Sequence, residues 1–371
     1  MDAFLSDKFR FWSFVAMCLL VFVHGYNLQE SYLQPWTFPG EPMTITTFVE
    51  YWTANGLLRF RIPLLFLISG YLFALGDHKP TADRLGKRAK SLLLPYLWWS
   101  GIALVFLWLL EYAAWGKSLV LSSHLAQIDD QRMLISEYRW WEVLLRWLLA
   151  PVAYQLWFVR SLFVYNLLYP VLRWLVLHRV WRWVFWVGAC CLWISTFGFV
   201  IEGEGLLFFS LGIWWQKSGF TFDRRQRWLH PLPWVLLVLG LSIWKTWVAF
   251  QPMYPNGYRD LTLLHKAVVL TGLIAAWRSL DCVVQWAMGL GWFRRISAFS
   301  FMIYGVHTPL VVLLYHAAFL NLPHFAGYRL VWYLLIPLVV IAFAVFLGWG
   351  VRRFWPWLYA QLTGGRGLTA P

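Results

Sequence analysis

Charge is scarce in this chain. Of its 371 residues only 13% are charged, against about 25% for an ordinary soluble globule. Acids are scarcer than bases, 17 Asp and Glu against 31 Lys and Arg. Cysteine is nearly missing: Cys18, Cys190, Cys191 and Cys282 show no CxxC or metal-ligand spacing, so neither a zinc site nor a disulfide framework is implied. Strand-like alternation, internal repeats, low-complexity tracts and a second soluble domain are all absent. The net charge of +14 is spread over short loops between hydrophobic runs instead of forming a groove, so nucleic acid is not an expected partner.

What fills the chain is apolar sequence: 60% hydrophobic residues and a mean hydropathy of +0.58. Runs of roughly 17–25 apolar residues recur from end to end, the length that crosses a bilayer as a helix. Backbone groups in lipid must bond internally, which makes the spans helical and the fold class all-α. About ten spans are expected, at 11–28, 55–75, 92–115, 155–177, 183–200, 204–217, 231–250, 261–278, 297–319 and 329–351. The first follows Lys8 and Arg10 without a small-residue cleavage site and reads as an uncleaved span. Trp98-Trp99, Trp140-Trp141 and Trp214-Trp215 fit aromatic belts at the interfaces.

Basic residues sort by loop. Lys79, Arg84, Lys87, Arg88 and Lys90 fall on one side with Lys217, Arg224, Arg225, Arg227, Arg294, Arg295, Arg352 and Arg353. Loop 29–54 has no Lys or Arg but carries Glu30, Glu41 and Glu50. The asymmetry puts both termini in the cytoplasm, and the expected location is the cell (inner) membrane. Residues 1–355 are expected as one transmembrane domain, followed by a short disordered cytoplasmic tail at 356–371. Segments 29–54 and 116–150 are long enough for interfacial helices or a lid, and 281–295 reads as an amphipathic helix at the inner surface.

Polar groups inside apolar runs point to function, because they are costly there. His24 lies near the outer end of the first span, either bonded to a neighbouring helix or acting as a general base. Arg59 and Arg61 open the second. Arg59 suits snorkelling to headgroups, whereas Arg61, ahead of Pro63 at a helix start, could hold a carboxylate or phosphate or stabilise an oxyanion. The run 84–90 is a topology determinant, an anionic-lipid contact or a nucleotide-phosphate site. Trp157-Phe158, with Arg160, Tyr165 and Asn166, gives an aromatic-polar face. Trp157 and Asn166, together with Arg59, are candidate substrate contacts. Ser300, Tyr304 and His307 share one helix face, lining a cavity or tying helices together.

In order along the chain, these stretches resemble the acyltransferase-3 family of integral membrane O-acyltransferases. The matching segments are His24, Arg61-Ile-Pro-Leu-Leu-Phe-Leu-Ile-Ser-Gly-Tyr71, the basic run 84–90 before Pro95-Tyr96, Leu156-Trp157-Phe158, and Ser300-Phe-Met-Ile-Tyr304-Gly-Val-His307. They run from about 10 to 350, and the second is nearest the branch with fucose 4-O-acetylase-like proteins. The resemblance implies about ten helices and transfer of an acyl group, often acetyl, from cytosolic acyl-CoA to a hydroxyl of a cell-surface carbohydrate. It makes His24 the base and sets Arg84, Lys87 and Arg88 on the CoA phosphates. Arg61 or Tyr304 is a candidate oxyanion donor, and His307 a second catalytic histidine that orients the site or carries the acyl group. No metal is implied. The family often has an arginine eleven residues before the histidine, where this chain has Ser13, and its Arg-x-x-Arg element is Arg84-x-x-Lys87 here. A transporter or flippase for a glycan or lipid-linked sugar is the alternative.

Overall fold

The computed structural model describes residues 2–26, 28, 34–37, 40–195, 198, 200–220, 230–252 and 257–368. Glu30, Arg224, Arg225 and Arg227 lie outside the described residues. Among those described, every regular element is a helix, and pairing is limited to one isolated bridge between Asp129 and Arg132.

Six helical stretches are long and apolar enough to cross a bilayer: Ile45–Leu75, Thr81–Leu110, Pro231–Ala249, Gly257–Ser279, Ser300–Asn321 and Tyr328–Phe354. A seventh exists if Tyr169–Leu177 and Trp181–Ser195, bent by 116°, count as one span. The protein is a multi-pass membrane protein. The remaining expected spans differ for local reasons. Ala3–Val23 carries Asp7, Lys8 and Arg10 within its length and stops one residue before His24. The expected span 155–177 breaks at Leu168, where Pro170 starts a new helix. Gly203–Ser218 has only 16 residues. The expected amphipathic helix 281–295 is two, Asp281–Gly289 and Gly291–Ser297.

The chain forms two compact units. The first comprises Met1–Ala16, Gln34–Arg88 and Ser161–Arg294. Its tightest helix pair is Arg61–Leu75 against Gly203–Ser218. A Cβ on Gly70 would stand 2.0 Å from the carbonyl oxygen of Phe209, and one on Gly212 would stand 2.1 Å from that of Leu67. Small residues let membrane helices approach backbone to backbone, so dispersion replaces the missing hydrophobic drive. Aromatic rings fill the space beside the crossing, with Tyr71 and Trp215 centred 4.7 Å apart and Trp215 and Trp277 5.4 Å apart. Pro231–Ala249 packs on Gly257–Ser279 through Val238, Val268 and Ala275.

The second unit comprises Met17–Leu33, Ala89–Arg160 and Arg295–Pro371. Gly305 of Ser300–Asn321 lies under the Trp99 indole, whose Nε1 donates to the Leu362 carbonyl at 2.9 Å. The segment after Leu110 is ordered by its acids. Glu111 accepts the backbone N–H groups of Ile135 and Ser136 at 2.6 and 3.0 Å. Arg132 bridges Asp129 and the buried Glu142, and its hydrogen bond holds the Asp129 carboxyl down at about 2. Within it are the short helices Ala114–Ser123 and Trp140–Leu148. Residues 356–371, expected as a disordered tail, contain the helix Pro356–Thr363 and a glycine turn from which Arg366 donates to the Ser91 carbonyl at 2.6 Å.

Candidate active site

The helix Ser300–Asn321 is interrupted at Thr308, with φ −114° and ψ 131°, because Pro309 drives the preceding residue out of the α region. A proline also lacks the N–H that would continue the ladder. The Gln155 side chain fills this break, its Nε2 donating to the carbonyls of Thr308 at 3.0 Å and Tyr304 at 3.4 Å. In return, the Tyr304 hydroxyl donates to the Gln155 carbonyl at 2.6 Å. Reciprocal bonds thus clamp the short turn Tyr154–Leu156 to the kinked helix. All these groups are buried.

Three side chains meet beside that clamp. His24 sits in the turn just after Ala3–Val23, its Nδ1 2.8 Å from the Tyr154 hydroxyl. His307 stacks on His24, ring centres 5.2 Å apart and planes within 27°. His307 Nδ1 lies 3.0 Å from the Ile303 carbonyl, which can only accept, so Nδ1 carries hydrogen and Nε2 is the basic nitrogen. Two residues singled out in the sequence, His24 and His307, are therefore brought together from opposite ends of the chain. Tyr304 lies one turn before His307, with ring centres 6.0 Å apart, but its hydroxyl hydrogen is directed to Gln155. Trp157 follows the turn, its ring 6.3 Å from that of Phe158. Tyr154 and Gln155 were missed in the sequence. Their one signal is position, directly before Leu156-Trp157-Phe158.

The other sequence-selected residues belong to the first unit. Arg61 is buried and donates to the Leu58 carbonyl at 2.5 Å. Asn166 is buried and donates to the Leu162 carbonyl at 2.5 Å, within its own helix. Arg84 turns inward. Its guanidinium lies 3.1 Å from Asp77, donates to the Phe73 carbonyl at 3.1 Å and covers the Phe73 and Tyr169 rings at 4.2 and 4.6 Å. Asp77 also takes Arg173 at 2.9 Å and Lys217 at 2.7 Å. Burial works to raise the Asp77 carboxyl, but hydrogen bonds from Lys217 and Tyr169 and the charges of Lys217 and Arg173 hold it below the usual range. Arg88 is half-buried, 5.2 Å over the Phe73 ring, and Lys87 is exposed.

Around Arg59 the first unit encloses a cluster that the sequence reading overlooked. Lys245 is fully buried and donates to the backbone and side-chain oxygens of Asn55. His265 and Lys266 are buried nearby, and Lys266 lies 5.0 Å over the Trp193 ring. Arg59 interacts electrostatically with Glu204 and Lys245, and Lys266 with Glu202 and Glu204. Ionisable groups within the expected spans 231–250 and 261–278 were the available signal.

Glu202 caps Gly203–Ser218, accepting the Gly205 N–H at 3.0 Å. Burial first, then Glu204, pushes its carboxyl up to about 8, against the pull of that N–H and of Lys266. The folded form therefore keeps a proton that the unfolded chain releases near 4.5, and stability falls as pH rises between those values. Glu202→Gln keeps an acceptor for the cap and stays neutral. Its melting temperature is expected to match wild type at pH 4.5 and to exceed it by several degrees at pH 8, on the order of 1 kcal/mol or more. Equal melting temperatures at pH 8 would contradict the assignment.

Residues 11–356 match the profile of the family described as an acyltransferase domain. With its membrane-length helices, the protein is an integral membrane acyltransferase. The chain belongs to the acyltransferase-3 family. It is also similar to the succinoglycan biosynthesis protein ExoH of Rhizobium meliloti (strain 1021), 28% identical over 374 residues that cover 99% of this chain and 94% of that protein. No solved structure matches the chain.

Proposed function

We propose that the protein moves an acyl group, acetyl or a close relative, from cytosolic acyl-CoA to a hydroxyl of a cell-surface or lipid-linked carbohydrate. The observation that carries the reading is the histidine pair, His24 on His307, with Tyr154 in hydrogen-bond contact with His24. The carbohydrate acceptor is supported by the similarity to a succinoglycan biosynthesis protein.

His24 is the general base in this scheme. With Nδ1–H donated to Tyr154, Nε2 takes the proton of the acceptor hydroxyl as its oxygen attacks the thioester carbonyl. The new C–O bond forms, the C–S bond breaks, and the proton passes from Nε2 to the departing thiolate. Tyr154 fixes the imidazole tautomer and orientation, as the third member of a nucleophile–base–orienter set does. His307 supports the plane of His24 by stacking. Tyr304 acts through Gln155, holding the turn that carries Tyr154. Of the candidates in the basic run, exposed Lys87 and half-buried Arg88 remain for the CoA phosphates, whereas Arg84 is held by Asp77. Arg61 remains the candidate oxyanion donor, and Arg59, Trp157 and Asn166 remain candidate substrate contacts. The topology that goes with this scheme is about ten spans with both termini in the cytoplasm of an inner-membrane protein.

Release of free thiol from acetyl-CoA by the purified full-length protein, recorded with a thiol-reactive chromogen, tests the reading. Acceptor-dependent release is expected. Glycan movement across proteoliposomes without any thiol release would replace the enzyme reading with transport.

A further inference from the structure

The last acidic residue of the chain is Asp281, yet Arg294, Arg295, Arg329, Arg352, Arg353 and Arg366 follow it. Three of these arginines line one cavity of about 520 Å³ in the second unit, Arg295 from one wall and Arg352 and Arg353 from the other. Arg352 lies 5.9 Å over the Phe299 ring, which forms part of the lining with Trp349 and Pro356. No carboxylate lies within ion-pair distance of the three among the described residues, and no acid occurs in the 90-residue sequence beyond Asp281. Three guanidiniums facing one hollow repel one another, and the described residues supply no local anion to offset them.

The surroundings say what kind of anion fits. Arg352 and Arg353 end Tyr328–Phe354, the most apolar of the membrane-length helices at a mean hydropathy of 2.8. Trp349, Phe354, Trp355 and Trp357 next to them are all more than half exposed. Such rings mark the depth at which lipid headgroups meet hydrocarbon. A ligand here presents a phosphate to a planar donor fork, which arginine binds bidentately, and rests its hydrocarbon on the exposed aromatic face. Basic pockets at the ends of membrane helices are known to take anionic headgroups.

We propose that the Arg295–Arg352–Arg353 cavity is a binding site for the phosphate of an anionic phospholipid. The site is separate from the histidine pair and stands whether or not the acyl-transfer scheme holds. It seats the inner end of Tyr328–Phe354 against the turn at Phe299, where Gly348 packs so closely that a Cβ would lie 2.8 Å from the Phe299 ring.

Native mass spectrometry of the full-length protein in mild detergent, titrated with phosphatidylglycerol or phosphatidylcholine, reads the proposal directly. Wild type is expected to retain phosphatidylglycerol in preference to phosphatidylcholine. Arg352→Gln with Arg353→Gln is expected to reduce the retained fraction roughly tenfold or more. Arg295→Gln, an exposed side chain on a different helix, gives an independent reading if the double variant does not fold, with a loss of several-fold expected. Lys117→Gln, an exposed cation on Ala114–Ser123, is expected to leave retention unchanged. Retention equal to wild type in the arginine variants overturns the site. Displacement of the bound phosphatidylglycerol by millimolar coenzyme A overturns the lipid as occupant and assigns the arginines to a nucleotide phosphate.

Discussion

His24→Ala protein is expected to lose acyl transfer by about 10²–10⁴-fold while remaining folded, the usual worth of a positioned base. The side chain is half-buried at the end of a helix, and its removal opens little core. The loss should fall on turnover more than on thioester binding, because in the proposed scheme the imidazole acts on the hydroxyl proton. Tyr154→Phe removes the partner of His24 Nδ1 without changing shape, and a smaller drop, about tenfold, is expected together with a displaced pH–rate profile. That displacement separates an orienting role from a packing role, since a packing defect leaves the profile in place. Undiminished turnover by well-folded His24→Ala protein would reject the base assignment outright.

The second large effect is on folding. Gly70→Val is expected to abolish recovery of monodisperse protein, because its Cβ alone would sit 2.0 Å from a backbone oxygen that no side-chain rotation can move. Helices 61–75 and 203–218 would have to separate, and overpacking of this kind costs about 3 kcal/mol or more. Gly212→Val meets the Leu67 carbonyl in the same way from the other helix. Gly188→Ala supplies the contrast. It lies in Trp181–Ser195 with nothing within 4 Å of the added carbon, and helix propensity alone favours the change by roughly 0.5–1 kcal/mol. Thermal melting of the three variants in detergent checks the ordering. Normal yield and melting of both valine variants would show that the crossing is not as close as described.

The helical class, and His24 and His307 as separate candidates, were legible because imidazoles in apolar runs are rare enough to stand out, whereas their stacking is seen only in the fold. Gly70, a small residue inside the segment 61–71, makes its close helix approach against Phe209. Span counting fared less well, since hydropathy does not register where a helix turns. Leu168 and Pro170 end one helix and begin another inside a single apolar run, and the 116° bend follows directly after. Tyr154 was hidden among 17 tyrosines, most of them as easily read as interface anchors. Arg84 looked like an open cation because its partner, Asp77, lies outside the run that contains it, and only folding shows the carboxylate turned toward it. The buried Lys245 and Lys266 could have been found by applying to every span the rule that singled out His24.

The C-terminal turn carries a practical lesson. Gly364, Gly365 and Gly367 all adopt positive φ, and Gly364 lies so close to Ser91 that a Cβ would come within 2.5 Å of its Cα. Arg366 then reaches the Ser91 carbonyl and covers the Phe301 ring at 4.7 Å, on the helix that goes on to present His307. Residues 364–366 thus act as a latch under the helix that carries His307. Truncation at Thr363, or an affinity tag joined there, would undo that latch, whereas a fusion placed after residue 368 leaves it closed.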